Sequence, residues 1–190
     1  MSEPHFYLFT DGSCGRGKDD IGAWAAFVVG KNGNKLLYGS CHPATVSRME
    51  MTPILEGMRW IQGTARRTRG IRVRAYSDSE FVVKTLGGGY DKSKNRDLWA
   101  ALDEVTQGLN VEYRWRERNS HFYMQLCDAV CSRLRRRTMA QAVEMLGDWK
   151  TPETIIPAQP LPVEEDDVIQ QTLTELNAGG THAHNEQSVG

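Results

Sequence analysis

The sequence predicts an α/β fold: a mixed five-stranded sheet in the chain order β-β-β-α-β-α-α-β-α, flanked by helices, with a flexible C-terminal tail. Two observations predict the folded part. Short aromatic or β-branched runs bounded by turn residues (HFYLFT, AWAAFVV, IRVRAY) read as strands, and apolar residues at helical spacing recur between them. The first three strands follow one another closely, as antiparallel neighbours do, whereas a later strand–helix–strand crossover requires a parallel pair. A third observation predicts the tail. After Trp149 four prolines arrive close together, followed by an acidic run and a stretch of small polar residues.

Each element has a local reason. His5–Thr10 is a strand running into a turn at Asp11-Gly12, and Gly15–Asp20 is a Gly-containing loop to the second strand, Ala23–Val29. The turn over residues 30–34 then gives a hairpin with Lys35–Cys41. Ser47 with Glu50 three residues on makes a capping box, and Met49, Leu55, Met58 and Ile61 share one helix face. Pro53 is tolerable there only in a first turn. Ile71–Tyr76 alternates apolar and polar residues, and Ser77-Asp78-Ser79 caps a short helix, Glu80–Leu86, stopped by Gly87-Gly88-Gly89. Asn95–Leu109 is a helix, Val111–Trp115 the fifth strand, and Ser120–Leu146 the last helix.

The chain has 190 residues, with 23 Lys+Arg and 24 Asp+Glu, for a formal net charge of −1. That total conceals an asymmetry. Residues 151–190 carry seven acids and no Lys or Arg, so residues 1–150 hold 23 bases against 17 acids, a balance of +6. The expected organisation is a folded, basic body over 1–146 and a Pro-containing, disordered acidic tail over 147–190. No apolar run approaches the ~20 residues that span a bilayer, and the N-terminus lacks the pattern of a secretory signal. Four scattered cysteines argue for a reducing, cytoplasmic compartment. Cys127 and Cys131, near His121, read as buried apolar thiols in preference to a metal site.

Four acids stand where sites are built. Asp11 ends the first strand, Glu50 opens the first helix, Asp78 ends the fourth strand and Asp128 lies early in the last helix. Converging carboxylates repel one another unless cations join them. Two Mg2+ ions about 4 Å apart would relieve that repulsion and catalyse phosphodiester hydrolysis. The plainer alternatives are an Asp-Gly turn and a Glu helix cap.

The local sequences point further. Thr10-Asp11-Gly12-Ser13-Cys14, Arg48-Met49-Glu50-Met51, Ser77-Asp78-Ser79 and Cys127-Asp128 resemble, in order, the four signatures of type 1 ribonuclease H, and Asn95-Arg96-Asp97-Leu98-Trp99 resembles a fifth segment of that family. The resemblance covers roughly residues 5–140 and implies a ribonuclease H-like fold in which 1–146 is the catalytic domain. It implies an Mg2+-dependent endonuclease (Mn2+ being a possible substitute) that cleaves the RNA strand of RNA–DNA hybrids, acting as a monomer without a membrane. It implies that Asp11, Glu50, Asp78 and Asp128 hold two metal ions and catalyse cleavage. Gly12, Ser13 and Cys14 match a loop that contacts the hybrid, Arg48 an RNA-contacting position and Asn95 a DNA-contacting one.

The resemblance has gaps. Family members often carry a catalytic His in the loop before the last helix; counting from Trp115 places Asn119 there, and His121 lies two residues later, so either is a candidate to assist proton transfer, or His121 simply caps the helix. The family's basic protrusion is missing. Grip on a polyanion then falls to Arg66, Arg67 and Arg69, to Lys92, Lys94 and Arg96, or to Arg114, Arg116 and Arg118, unless these are solvated surface. Two other functions fit the same fold: a non-catalytic hybrid-binding module and a DNA-directed nuclease. The tail is a solubilising end, a docking peptide for a protein partner, or a segment that folds back on the basic groove.

Overall fold

Residues Phe6–Cys14 form β1, and their side chains alternate between two buried faces, so helices must cover both. Leu8 meets Gly57 on one side, and Phe9 meets Tyr123 on the other. The computed structural model describes residues 4–15, 21–31, 33–65 and 69–145. Its elements after β1 are β2 (Gly22–Gly30), β3 (Gly33–Cys41), α1 (Val46–Thr64), β4 (Ile71–Ser77), α2 (Glu80–Leu86), α3 (Arg96–Val105), β5 (Leu109–Trp115), a 3-10 turn (Arg118–Ser120) and α4 (Phe122–Met145). The expected order is therefore the observed one. The tail expected over 147–190 lies outside the described residues, as do Arg66 and Arg67.

The sheet order is β3-β2-β1-β4-β5. β1–β2 and β2–β3 are antiparallel, while β1–β4 and β4–β5 are parallel. Met51, Ile54, Leu55, Met58 and Ile61 of α1 pack with Leu8, Val28, Val73 and Ala75 of the sheet and with Leu98, Trp99 and Leu102 of α3. On the opposite face α4 packs mainly on β1 and β2, burying Met124, Leu126, Cys127, Val130 and Cys131.

Three local expectations are corrected. β1 does not turn at Asp11-Gly12; it runs on to Cys14, because Asp11, Gly12, Ser13 and Cys14 pair with Ala25, Trp24, Ala23 and Gly22 of β2. Helix α1 starts one residue before Ser47, and its cap is Thr45, whose side chain accepts from Arg48 N. Pro53 consequently sits well inside α1 and withholds from the Met49 carbonyl its i+4 donor. The third helix ends at Val105, short of Leu109, because Gly108 adopts a left-handed φ of 81° that turns the chain into β5.

Candidate active site

The middle of β1, the start of α1, the end of β4 and the second turn of α4 meet at one edge of the sheet. Gly12 makes the meeting of β1 and α1 possible. A Cβ at Gly12 would stand 2.3 Å from the Met49 carbonyl carbon and oxygen and 2.6 Å from Glu50 N. The carbonyl it would strike is the one Pro53 leaves without a helical donor. Glycine thus lets the strand lie against the α1 backbone and brings Glu50 next to Asp11.

Other interactions fix the remaining acids. Thr10 Oγ1 donates to the Tyr76 carbonyl at 2.9 Å, tying β1 to the end of β4. Just beyond, Ser77 Oγ accepts from Ser79 N at 3.1 Å, and the Trp115 indole donates to the Asp78 carbonyl at 3.0 Å. Cys127 and Cys131 hold α4 down on β1: their Sγ atoms donate to the Phe9 and Asp11 carbonyls, each at 3.4 Å. Both thiols are fully buried, and burial pushes their pKa values well above the ordinary thiol range. They pack as small apolar groups, in keeping with their spacing on one helix. Asp128, between them, faces the carboxylates.

One guanidinium joins three of the four acids. Arg118 Nε donates to Asp78 Oδ2 at 2.8 Å, its Nη1 donates to Asp128 Oδ1 at 3.2 Å, and its Nη2 stands 3.3 Å from Asp11 Oδ1. The last of these is an ion pair without hydrogen-bond alignment, since both Asp11 carboxylate oxygens lack a hydrogen-bond partner. Glu50 Oε2 and Asp78 Oδ1 are likewise buried and unpartnered. Burial, together with the Asp78 and Asp128 charges, raises the Asp11 pKa to about 7 against the opposing pull of Arg118. Burial and the Asp11 and Asp78 charges raise Glu50 to about 9. For Arg118 partial burial works against the charge, yet the Asp11, Asp78 and Asp128 carboxylates outweigh it and hold the guanidinium above its ordinary pKa.

Buried, unpartnered carboxylate oxygens are hard donors of the kind Mg2+ and Mn2+ take. As arranged, no three His, Cys, Asp or Glu side chains among the described residues converge into a ready-made metal site. A single delocalised charge of +1 is what joins the acids in this conformation. The donor set suits divalent cations, with Arg118 as the group that must yield to them.

The other expected site residues fall in different places. Gly12, Ser13 and Cys14 belong to β1 and not to a loop, and the Cys14 carbonyl accepts from Arg135 Nη1 at 3.2 Å. Arg48 is engaged by Asp97 in a two-pronged pair of 3.1 and 2.7 Å, which links the start of α1 to the start of α3. Asn95 occupies the N-cap position of α3 with a left-handed φ of 55°, and its side chain makes no capping hydrogen bond there. His121 stacks on Phe9 with ring centroids 4.9 Å apart, and its Nδ1 accepts from Tyr123 N at 3.3 Å. Burial, then the Arg116 charge, holds its pKa below the usual value. It thus packs and caps at the start of α4. Asn119 is exposed, and its carbonyl accepts from Gln125 Nε2 at 2.9 Å. Arg118, one residue earlier, is the group of this loop that reaches the acids. The sequence holds one signal for it: four converging acids need a cation, and Arg118 is the base nearest Asp128 in the loop between β5 and α4.

A family model described as RNase H matches residues 3–131. The Ribonuclease H of Cupriavidus metallidurans is 31% identical over 140 residues, covering 66% of this chain and 92% of the relative. That of Acidithiobacillus ferrooxidans is 32% identical over 148 residues, covering 70% and 89%. Among solved structures, LC11-RNase H1 in complex with an RNA/DNA hybrid has a TM-score of 0.55 at 17% identity, covering 70% of this chain and 99% of that one. RNase H1 from the halophilic archaeon Halobacterium salinarum has a TM-score of 0.51 at 18% identity, covering 72% and 98%. At those identities the structural likeness is one of fold.

Proposed function

Because this chain belongs to the ribonuclease H family, we propose that it is an endonuclease hydrolysing the RNA strand of RNA–DNA hybrids, with Asp11, Glu50, Asp78 and Asp128 holding two Mg2+ ions. The observation that carries the reading is the convergence of three aspartates on one guanidinium with Glu50 buried beside them. A fold gains no stability from such a cluster, since burying like charges together is costly. Binding of divalent cations gives it a purpose. A structural neighbour was solved with an RNA/DNA hybrid, which supports the choice of substrate.

Bound divalent ions would lower the pKa of an attacking water and stabilise charge on the scissile phosphate and the leaving oxygen. The residues of this chain do the rest. Asp11, central and most enclosed, would serve both ions, Asp78 and Asp128 would complete one position each, and Glu50 would also sit near the RNA 2′-hydroxyl, the group that separates RNA from DNA. Arg118 would then leave the acids, and a guanidinium beside the site would be a good partner for a phosphate. In this reading residues 1–146 are the catalytic domain, working as a monomer in the cytoplasm, and 147–190 are an accessory tail.

The test is cleavage of an end-labelled RNA–DNA hybrid with Mg2+. The wild-type chain is expected to cut the RNA strand, and Asp11→Asn and Asp78→Asn to lose that cutting. A wild-type chain as inert as the two variants, but still binding hybrid, would instead favour the hybrid-binding module. Arg118 seated among the acids is the one observation on that side.

A further inference from the structure

Three sulfur atoms gather across β1, β2 and β3, on the sheet face that α1 covers. Cys14 at the end of β1 pairs with Gly22 at the start of β2, and Gly22 pairs in turn with Cys41 at the end of β3. Residues paired across a ladder point to the same face. The two thiols therefore flank a residue that has no side chain, and Met49 of α1 fills the gap. A Cβ at Gly22 would lie 2.4 Å from Met49 Sδ, so the thioether rests directly on the Gly22 backbone. Cys41 Sγ donates to Met49 Sδ at 3.7 Å. Cys14 and Cys41 pack together against the small cluster of Met49, Trp24 and Ala44.

These thiols differ from the pair on α4. Cys127 and Cys131 are fully buried, and each donates to a backbone carbonyl. Cys14 and Cys41 are only half-buried, so an ion can reach them from solvent. The Cys41 hydrogen bond goes to a thioether, a weak acceptor that does little to hold it. A disulfide does not explain the arrangement. Two ladder spacings put the Cα atoms about 9.5 Å apart, beyond the ~7 Å that a disulfide spans. A metal ion bonded to each sulfur at about 2.3 Å bridges a wider gap.

The donor set selects the ion. Thiols and thioethers are soft ligands, which favour Cu(I). Among the described residues no three His, Cys, Asp or Glu side chains converge, so no imidazole or carboxylate joins the two thiols to build the four-coordinate shell that Zn2+ takes. We propose that Cys14, Cys41 and Met49 form a site for one Cu(I) ion, bound by two thiolates and the thioether. Binding releases two thiol protons to water and leaves the complex with one negative charge. The Arg48 guanidinium, close enough to act on Cys41, offsets that charge. The site is independent of hybrid cleavage, although it would tie Met49, the neighbour of Glu50, to β1 and β3.

The test titrates the reduced full chain with Cu(I) under nitrogen, in competition with the chromophoric chelator bicinchoninate, whose absorbance reads how much Cu(I) the protein withdraws. The wild-type chain is expected to take up one equivalent. Losing a ligand costs more than the 10–100-fold typical of an outer-shell partner, so Cys14→Ser/Cys41→Ser should bind at least about 100-fold more weakly. Met49→Leu, which keeps the core volume, should bind about tenfold more weakly. One equivalent of Cu(I) should also raise the wild-type melting temperature by about 5 °C or more and leave that of the double variant unchanged. Circular dichroism establishes that each variant is folded, and Cys41→Ser alone carries the comparison if the double variant is not. The variants keep Cys127 and Cys131, so uptake of one equivalent unchanged by the serine substitutions would place the ion elsewhere and overturn the proposal. No uptake by the folded wild-type chain would overturn it too. Uptake lost with the thiols but undiminished in Met49→Leu would overturn the three-sulfur site.

Discussion

Arg118 donates from Nε to Asp78 Oδ2 at 2.8 Å, from within a loop, to a carboxylate at the end of β4 forty positions earlier in the chain. The same guanidinium reaches Asp128 and Asp11, so one side chain tethers the loop, β1, β4 and α4. It acts as the cation of a cluster built for cations.

Removing it should therefore weaken the metal-free chain. Losing the partner of buried carboxylates costs about 3–5 kcal/mol when the pair is fully desolvated. The Arg118 side chain is 43% exposed, and solvent screening reduces that to about 1–2 kcal/mol. Arg118→Ala is expected to melt roughly 3–8 °C below wild type in EDTA and to recover much of the difference in excess Mg2+. An equal deficit with and without Mg2+ would mean that Arg118 and the cations do not serve the same acids.

The pH dependence follows from Asp11 and Glu50. Burial first, then neighbouring charge, lifts their pKa values to about 7 and about 9. Both folded values lie above the unfolded range near 4, so the folded chain holds protons that the unfolded chain has released. The stabilisation is complete below about pH 4 and is lost as pH rises, through about 7 for Asp11 and about 9 for Glu50. The metal-free melting temperature should fall steadily from pH 5 to pH 9. Saturating Mg2+, which favours the ionised carboxylates, should flatten the fall. Calorimetry in EDTA and in Mg2+ across that range reads both, and a metal-free profile that is flat or rising would contradict the assignment.

Gly12 tests the close backbone approach that brings Asp11 and Glu50 together. Gly12→Ala places a methyl 2.3 Å from the Met49 carbonyl, an approach that neither backbone can relieve without moving β1 away from α1. Overpacking of this kind costs about 1–3 kcal/mol or somewhat more, read as a lower midpoint in urea. Because the shift separates Glu50 from Asp11, cleavage should fall further than stability. Full activity in a folded Gly12→Ala chain would show that the close approach is dispensable.

Much of this architecture is legible in the sequence, and the exceptions have physical causes. The strand and helix order follows from periodicity that burial enforces, and each of the four acids stands at the element predicted for it. β1 reads too short because Asp-Gly is a strong local turn signal, and the nine-residue ladder to β2 overrides it. The start of α1 is ambiguous because Thr45 and Ser47 are both competent caps, and local sequence does not rank them. Arg118 looks like surface charge beside Arg114 and Arg116. Its separation from them depends on the path of the loop after Trp115, a tertiary matter with no periodic signal.

Glu50→Gln separates chemistry from architecture most cleanly. With its pKa raised to about 9, Glu50 is protonated at neutral pH in the metal-free chain. Glutamine matches that neutral form in shape, so the variant should melt within about 1–2 °C of wild type at pH 7 in EDTA, a change of well under 1 kcal/mol. At pH 9 and above it should become the more stable of the two, since it has no proton to lose. Mg2+ reverses the comparison: the wild-type chain gains a charged ligand that the variant lacks, so it should be stabilised more and cut hybrid about 100-fold faster or better. A variant that matches wild type in EDTA at pH 7 but loses both the Mg2+ stabilisation and the cleavage would identify Glu50 as a metal ligand held neutral until the ion arrives. A variant that cuts hybrid like wild type would remove Glu50 from the site.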